Sequence, residues 1–595
     1  MTSLTAPVST PTRLRAAGVP AGLLLAVAVA VLALVATGGG PRPAPAGLRD
    51  AGTTVGWLVP VVRVLLDLGA VGTVGTLLAP AVLAPGRSVP GRGPVRAWAL
   101  GWAAAATTLG LVSAAEIVGA PLPTGLGTSM TLRFWWELPQ GRALGLVVAT
   151  ALGVATLGRP ARVVLPARAR LLLAAALVSM GPLLATGHAR TAAHHFLAAQ
   201  LLLVHVVAAT VWVGGLLALV CYVDRRDLPV ALPRFSRLAL ACFVSVAVSG
   251  LAGAWVRIGV DAAAWGSTYG LLLLAKVAAL GGLGAFGWWH RRRSVPAAVS
   301  GSTMGFARIA AAELALMAAA VGLAVALART AAPVAAASRA RPPHATTFAT
   351  VDRALPAPSL PSLVLRSRPD AVLLTVLFVV LVGLLLAGRR AGVRPVLAPV
   401  AGTVLAGWAL CGGLSAYSAA LLSAQTLQIL VLGVAVPLLL APAASLLTPA
   451  QAAVLGRWLD PMHGLVLLLA VLTVLVTPWA LEVSLRGPLL HLAVGLGALA
   501  GGALLVGSAR LRAGADPTRL RTVLLVLAVV LVSHAALLYT REDLVAGAWF
   551  GALDWPWSDP RTDQDRAAGL VLAAAALVTA FAWMPGRGPR VRRAP

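Results

Sequence analysis

The sequence lacks most of what a soluble enzyme or a disulfide-bonded domain would need. Only three of its 595 residues are cysteine. Cys221, Cys242 and Cys411 form no spacing motif, so we expect neither disulfides nor thiolate metal sites. No nucleophile paired with a base and no phosphate-binding loop occurs in a polar segment, so we expect no enzyme. Charged residues are also scarce, at 11% of the chain.

Hydrophobic residues dominate instead, at 59% of the chain with a mean hydropathy of +0.89. A helix needs about 20 apolar residues to cross a bilayer, and runs of that length recur along the sequence. We therefore predict an all-α, polytopic integral membrane protein with about 16 transmembrane helices in two helical domains. The predicted spans lie near residues 17–37, 55–83, 97–119, 142–158, 170–187, 197–222, 237–257, 268–289, 306–328, 370–388, 395–413, 419–441, 463–480, 488–508, 521–540 and 567–585.

The net charge of +28 is distributed by loop. Arginines concentrate in alternate loops, as the positive-inside rule predicts for a membrane protein, so we expect no nucleic-acid partner. Clusters such as Arg291 to Arg293 then mark the cytoplasmic side, which places both termini in the cytoplasm and residues 188–195 outside. The first apolar segment shows no clear cleavage site and is expected to remain as an anchor. The sequence thus predicts a multi-pass protein of the plasma membrane.

Composition also suggests how the chain is divided. Residues 329–369 are rich in Pro, Ala and Ser and show no helical period, which is typical of a linker. We expect an N-terminal anchor helix and loop at 1–50, a membrane domain at 51–328, the linker at 329–369 and a second membrane domain at 370–595.

Histidines form the most informative cluster. Four of the nine, His188, His194, His195 and His205, fall within eighteen residues. The first three lie in or beside a polar segment, whereas His205 lies near the middle of a predicted span. A neutral imidazole ligates copper, zinc, iron and nickel, so the cluster predicts a metal site. The alternative for His205 is a single buried histidine that is hydrogen-bonded to a carbonyl.

Several blocks around this cluster resemble the CopD copper-resistance family of membrane proteins, over about residues 55–330. They are TGHA at 186–189, HH at 194–195, LLVHVVAATVWVGGLLAL at 202–219, RFSRLALACFVSVAVSGLAGAWVRIG at 234–259 and LLLLAKVAAL at 271–280. The resemblance implies copper passage across the membrane, with copper as the bound ion. It also implies that His188, His194, His195 and His205 are the metal ligands, and that a periplasmic or other extracytoplasmic copper-binding protein is a partner.

A few ionisable residues fall within predicted spans, where each needs a partner. Arg63 and Asp67 are four residues apart, so we predict that they form an ion pair. Lys276 and Glu313 lie in neighbouring spans, and we expect them to pair as well. Glu116 is left with two interpretations, a carboxylate near the outer histidines or a solvated helix end.

The second half resembles the CtaG family, whose members are implicated in copper delivery to cytochrome c oxidase. The resemblance is carried by segments 422–447 and 477–505 and by Asp563-Gln564 before the last helix. Where the family pattern has a segment like HMVQH, this chain has Gln425, Thr426, Leu427, Gln428 and Ile429. Thr477 stands before Pro478 where the family has histidine, and of a later histidine pair only His491 remains. His491 and His534 are expected to be interfacial, and the tryptophans of the acidic loop at 541–566 are expected to anchor the membrane surface.

Together these patterns predict copper handling at the outer face of the plasma membrane, most simply copper transport into the cell. One alternative is a copper-delivery or assembly factor that hands copper to a cytochrome c oxidase subunit without transport. Another is a haem-binding membrane protein, since intramembrane histidines also ligate haem.

Overall fold

The computed structural model describes residues 11–41, 49–85, 93–122, 129–158, 166–185, 195–259, 261–294, 304–331, 333, 355–447, 452, 456, 460–511 and 517–583. These residues form helices joined by short connections, and no strand occurs among them. The chain divides into two compact units, Met1–Arg341 and Pro342–Pro595. The predicted all-α membrane fold is confirmed.

The first unit contains eleven helices in the part of the chain that the structure describes. They are α1 Pro11–Ala36, α2 Gly52–Leu78, α3 Gly93–Val118, α4 Ser129–Glu137, α5 Pro139–Leu157, α6 Pro166–Ala185, α7 His195–Cys221, α8 Leu228–Ile258, α9 Ala262–Trp265, α10 Thr268–Trp289 and α11 Met304–Arg329. α2 is central, because it packs against α3 on one side and α7 on the other. α7 then packs against α8, and α10 packs against α11.

Glycines set the contact between α2 and α7. A Cβ atom on Gly75 would collide with the carbonyl oxygen of Gly214, and one on Gly214 would lie 2.7 Å from the Val71 carbonyl oxygen. The two backbones therefore touch, a contact that small residues permit in membrane helices. This close approach fixes the position of α7, which carries His205.

The second unit contains twelve described α-helices of four residues or more. They are α12 Leu360–Leu365, α13 Ala371–Ala391, α14 Arg394–Cys411, α15 Gly413–Ser418, α16 Leu422–Leu430, α17 Val436–Leu440, α18 Pro461–Val476, α19 Pro478–Arg486, α20 Pro488–Leu511, α21 Pro517–Thr540, α22 Gly547–Leu553 and α23 Pro560–Trp583. One wider helical turn, Val431–Ala435, joins α16 to α17. α14, α16, α18 and α20 surround a buried apolar core, which α21 and α23 complete.

Fourteen of the described helices are long and apolar enough to cross a membrane, against about sixteen predicted from the sequence. The predicted span 463–480 is broken, because α18 and α19 meet at 92° around Thr477. Pro478 has no N–H to continue the α18 ladder, which accounts for a break there. The predicted span 567–585 lies in α23, whose first turns carry Asp563, Asp565 and Arg566, and this helix is not among the fourteen.

Candidate functional site

The four predicted ligands are described to different extents. His188 and His194 lie outside the described residues, and His195 begins α7 without a described side chain. His205 is fully described. It lies ten residues into α7, about 15 Å from the start of the helix at 1.5 Å per residue.

The imidazole of His205 is held by α8. Its Nδ1 atom lies 3.1 Å from the Val246 carbonyl oxygen and 3.2 Å from the Ser249 hydroxyl. The Ser249 hydroxyl itself donates to the Ser245 carbonyl, at 2.5 Å. Because a carbonyl oxygen can only accept, Nδ1 must carry the proton, and Nε2 keeps its lone pair. Nε2 has no hydrogen-bond partner among the residues that the structure describes.

The carbonyl-bonded histidine considered as an alternative is therefore what the structure contains. The same hydrogen bond, however, also suits a histidine that binds a metal. Histidines that bind metals usually donate from one ring nitrogen to a carbonyl or carboxylate, which fixes the tautomer and aims the other nitrogen at the ion. A carbonyl bond at Nδ1 is thus compatible with a metal at Nε2.

Two further residues fix the position of the ring. Gly250 faces it, since a Cβ atom there would lie 3.2 Å from His205 Cε1. Trp212, two turns along α7, is buried and meets Phe243 of α8 edge to face with ring centroids 5.8 Å apart. His205 and Trp212 thus both contact α8, as the seven-residue spacing predicts.

His205 also feels positive charge from a third helix. Lys276 of α10 acts electrostatically on the imidazole, and Arg257 acts on Lys276 in turn. Arg257 also donates to the Tyr269 hydroxyl at 3.0 Å, where α8 ends and α10 begins. Ser249 lies about 14 Å from the end of α8, and Lys276 lies about 12 Å from the start of α10. Both depths are close to the distance of about 15 Å that separates His205 from the start of α7.

The expected pairing of Lys276 with Glu313 is wrong. Glu313 of α11 instead lies 3.3 Å from Nε2 of His290, and both side chains are buried. His290 lies where α10 ends and α11 begins. Measured from that end, Glu313 is about 14 Å along α11, whereas Lys276 is about 20 Å along α10. The two side chains therefore start at different depths in the bundle. The sequence analysis missed His290, because it stands between tryptophans and arginines as an interfacial residue would.

Two other pairs follow the sequence more closely. Arg63 and Asp67 form the predicted ion pair at 3.4 Å. Glu116 pairs with Arg329 at 2.8 Å, so its carboxylate is engaged at the ends of α3 and α11. Among the described residues, no group of three or more histidine, cysteine, aspartate or glutamate side chains could hold a metal ion.

In the second unit, His491 of α20 is buried at 7% exposure. Its Nε2 atom lies 2.8 Å from the Ser418 hydroxyl. Nearby on α16, the Gln428 amide donates to the Ala409 carbonyl of α14 at 2.7 Å. His534 uses Nδ1 within its own helix, 2.7 Å from the Val530 carbonyl oxygen. His491 is therefore a core residue, and the expectation that it is interfacial is wrong.

Asp563 and Gln564 hold the start of α23 to its neighbours. The Asp563 carboxylate accepts from the backbone N–H of Ser423 at 3.2 Å and from the Ser423 hydroxyl. Gln564 accepts from the Val545 N–H at 2.8 Å and donates to the Leu538 carbonyl at 2.9 Å. The motif thus joins the loop at 541–559, α16 and α21 to the start of α23.

The loop at 541–559 is also partly built into the core. Trp549 is 3% exposed and donates its indole N–H to the Ala419 carbonyl at 2.9 Å, so its expected role as a surface anchor is wrong. At the end of the loop, Thr562 donates through its hydroxyl and N–H to Asp559, and these bonds lower the pKa of that carboxyl.

Two family models match the chain. Residues 229–327 match Copper resistance protein D (CopD), and residues 376–584 match the cytochrome c oxidase caa3 assembly factor (Caa3_CtaG). The chain thus has a region similar to CopD, the CopD region, followed by a region similar to CtaG, the CtaG region. Both resemblances seen in the sequence are thereby confirmed, in the predicted order. No curated protein and no solved structure matches significantly.

The CopD region covers α8, α10 and most of α11, together with Lys276, His290 and Glu313. It begins after the predicted ligands, so His188, His194, His195 and His205 remain predictions that the match does not cover. His205 nevertheless contacts Val246 and Ser249, which lie within the CopD region. The CtaG region contains His491, His534 and the Asp563-Gln564 pair. Together, the two regions support a copper-related function at a membrane.

Proposed function

We propose that this protein transports copper across the plasma membrane into the cell. In this proposal His188, His194 and His195 capture copper at the outer face, and His205 receives it within the membrane. Both termini face the cytoplasm, and copper is the cargo. The segments 51–328 and 370–595 act as separate domains joined by residues 329–369.

One observation supports this role for His205 more than any other. Its Nδ1 proton points to the Val246 carbonyl, which leaves the Nε2 lone pair available to a metal. Copper accepts imidazole nitrogen readily, so the ligand type fits the proposed cargo.

The Lys276 charge favours transfer over storage. A cation bound to His205 would be repelled by Lys276, which acts on the same imidazole. Passage through a membrane requires binding that is favourable enough for entry but weak enough for release. A single imidazole ligand beside a positive charge meets that condition better than a closed metal cage would.

Copper accumulation in cells tests this proposal. We expect His205→Ala, and the joint change of His194 and His195 to Ala, to reduce copper uptake roughly tenfold or more, since metal sites lose that much even when outer-shell groups change. His344→Ala is the matched control, because His344 lies in the linker, and its uptake should stay at the level of the unaltered protein. Equal uptake in all of these variants would mean that His205 has only a structural role.

A copper-delivery or assembly factor is the second candidate, because the CtaG region matches a family described as a cytochrome c oxidase caa3 assembly factor. In that case copper would pass to an oxidase subunit or a copper-binding protein outside, without crossing the membrane. The same variants distinguish the two functions. Lowered oxidase activity at unchanged cellular copper would favour assembly and contradict transport.

A further inference from the structure

A group of buried polar side chains lies at one end of the second unit, where α14 ends and α16 and α20 begin. We call Ser418, Gln425, Gln428 and His491 the polar layer. Their exposed fractions are 0%, 1%, 5% and 7%. All four are shielded from solvent by the helices around them.

The helix contacts bring these residues to one level. Ser418 meets His491 directly, at 2.8 Å, and Gln428 donates to Ala409 at the end of α14. One turn further along α20, a Cβ atom on Gly495 would touch Leu432, in the wider turn after α16, and Leu410 of α14. His491 is one turn before Gly495, and Gln428 is one turn before Leu432, so they face the same junction. Gln425 precedes Gln428 by three residues on the same face of α16.

Part of this layer has no hydrogen-bond partner. Neither the amide nitrogen nor the amide oxygen of Gln425 is bonded, and the same holds for Nδ1 of His491. Buried polar groups are nearly always bonded to protein or to ordered water, and leaving them unpaired destabilises a fold. Three unbonded atoms on the facing sides of α16 and α20, within about one turn of each other along the bundle, therefore indicate a ligand that completes them.

The ligand types of the polar layer do not suit a cation. The polar layer supplies amide, hydroxyl and imidazole groups and no carboxylate. The charged side chain that acts on His491 is Arg368, whose positive charge would repel a metal ion. Copper favours imidazole or sulfur ligands, and one imidazole beside neutral amides is a poor set for it. The ligand must be neutral, small and able both to donate and to accept.

We propose that the polar layer binds ordered water, which links the Gln425 amide to Nδ1 of His491. Water donates and accepts, so it can complete both ends of the amide and the ring nitrogen. The layer also lies within about two turns of the ends of α14, α16 and α20, so exchange with the aqueous phase needs only a short path. In this proposal Gln425, which stands at a position where the CtaG pattern has histidine, binds water.

The thermal stability of the full chain in detergent provides the first test. If water completes Gln425, Gln425→Leu removes formed hydrogen bonds and should lower the melting temperature by roughly 2–4 °C, close to the effect of Gln428→Leu. Gln428 is the reference because its bond to Ala409 is made within the protein. An unchanged or raised melting temperature for Gln425→Leu would contradict the proposal, since an unbonded amide is stabilised by replacement with an apolar side chain.

X-ray hydroxyl-radical labelling of the unaltered protein in ¹⁸O water provides a second test that needs no variant. Radicals formed from bound water should label His491 much faster than Tyr417, a reactive side chain that is 0% exposed. Labelling of His491 as slow as that of Tyr417 would overturn the proposal. Metal analysis of the same sample is the third arm, and copper or zinc that is lost on Gln425→Leu would show that the ligand is a cation.

Discussion

At the level of single residues, the position of the His205 ring depends on the lack of a side chain at Gly250. The ring lies between α7 and α8, and a Cβ atom at Gly250 would lie 3.2 Å from Cε1 and 3.4 Å from Nδ1. Such distances are tighter than ordinary van der Waals contact. A methyl group there would displace the ring or weaken its bond to Val246.

We therefore expect Gly250→Ala to lower copper uptake toward the level of His205→Ala, because the aim of Nε2 changes with the ring. Cellular copper accumulation at matched protein levels is the measurement. Gly253→Ala is the control on the same helix, since a Cβ atom at Gly253 would meet nothing within 4 Å. Full uptake by both alanine variants would show that the orientation of the ring has no effect on transport.

At the level of helices, α10 and α11 are joined by the buried contact between His290 and Glu313. Both side chains are nearly inaccessible, at 7% and 3% exposure. A carboxylate at that depth is costly unless it is paired or hydrogen-bonded. The contact therefore constrains how the ends of these two helices pack.

We expect Glu313→Ala to lower the free energy of unfolding by about 1–3 kcal/mol, the usual cost of leaving a buried polar group without its partner. Denaturant unfolding of the purified protein is the measurement. Glu116→Ala is the comparison, because the Glu116–Arg329 pair is more exposed and should contribute at most about 1 kcal/mol. Similar losses for the two variants would mean that the His290 contact adds nothing beyond a surface ion pair.

The pairing error shows which features of a membrane bundle can be predicted from its sequence. Helix lengths follow from apolar runs, so the predicted span 268–289 coincides with α10, and the 3.6-residue period correctly paired Arg63 with Asp67. The partner of Glu313 depends on the depth and rotation of two different helices. Lys276 and His290 both lie on or beside α10, and apolar periodicity is too weak in a lipid-facing helix to decide between them.

The break at Thr477 and the burial of His491 have a similar cause. Pro478 signals a helix start, but the sequence does not show whether the chain continues straight or bends by 92°. His491 stands near the start of α20, where a histidine usually faces the interface. Its burial results from Ser418, which follows α14 and is 73 residues away in sequence.

At the level of the whole molecule, function depends on which side of the membrane each loop faces. The arginine distribution predicts that residues 291–293 face the cytoplasm and residues 188–195 the outside. In the structure, α7 begins at His195, and α10 ends at Trp289. The orientation itself rests on the positive-inside rule, which reflects the cost of moving short arginine-rich loops across a membrane.

Cysteine labelling in cells tests this orientation. In a background where Cys221, Cys242 and Cys411 are changed to serine, we expect Ala192→Cys to react with a membrane-impermeant thiol reagent. Arg291→Cys should react only after the cells are permeabilised, because three adjacent arginines hold that end of α10 in the cytoplasm. The reverse pattern would place the histidine cluster inside. Copper captured by it would then come from the cytoplasm, and the proposed import would have to be replaced by export.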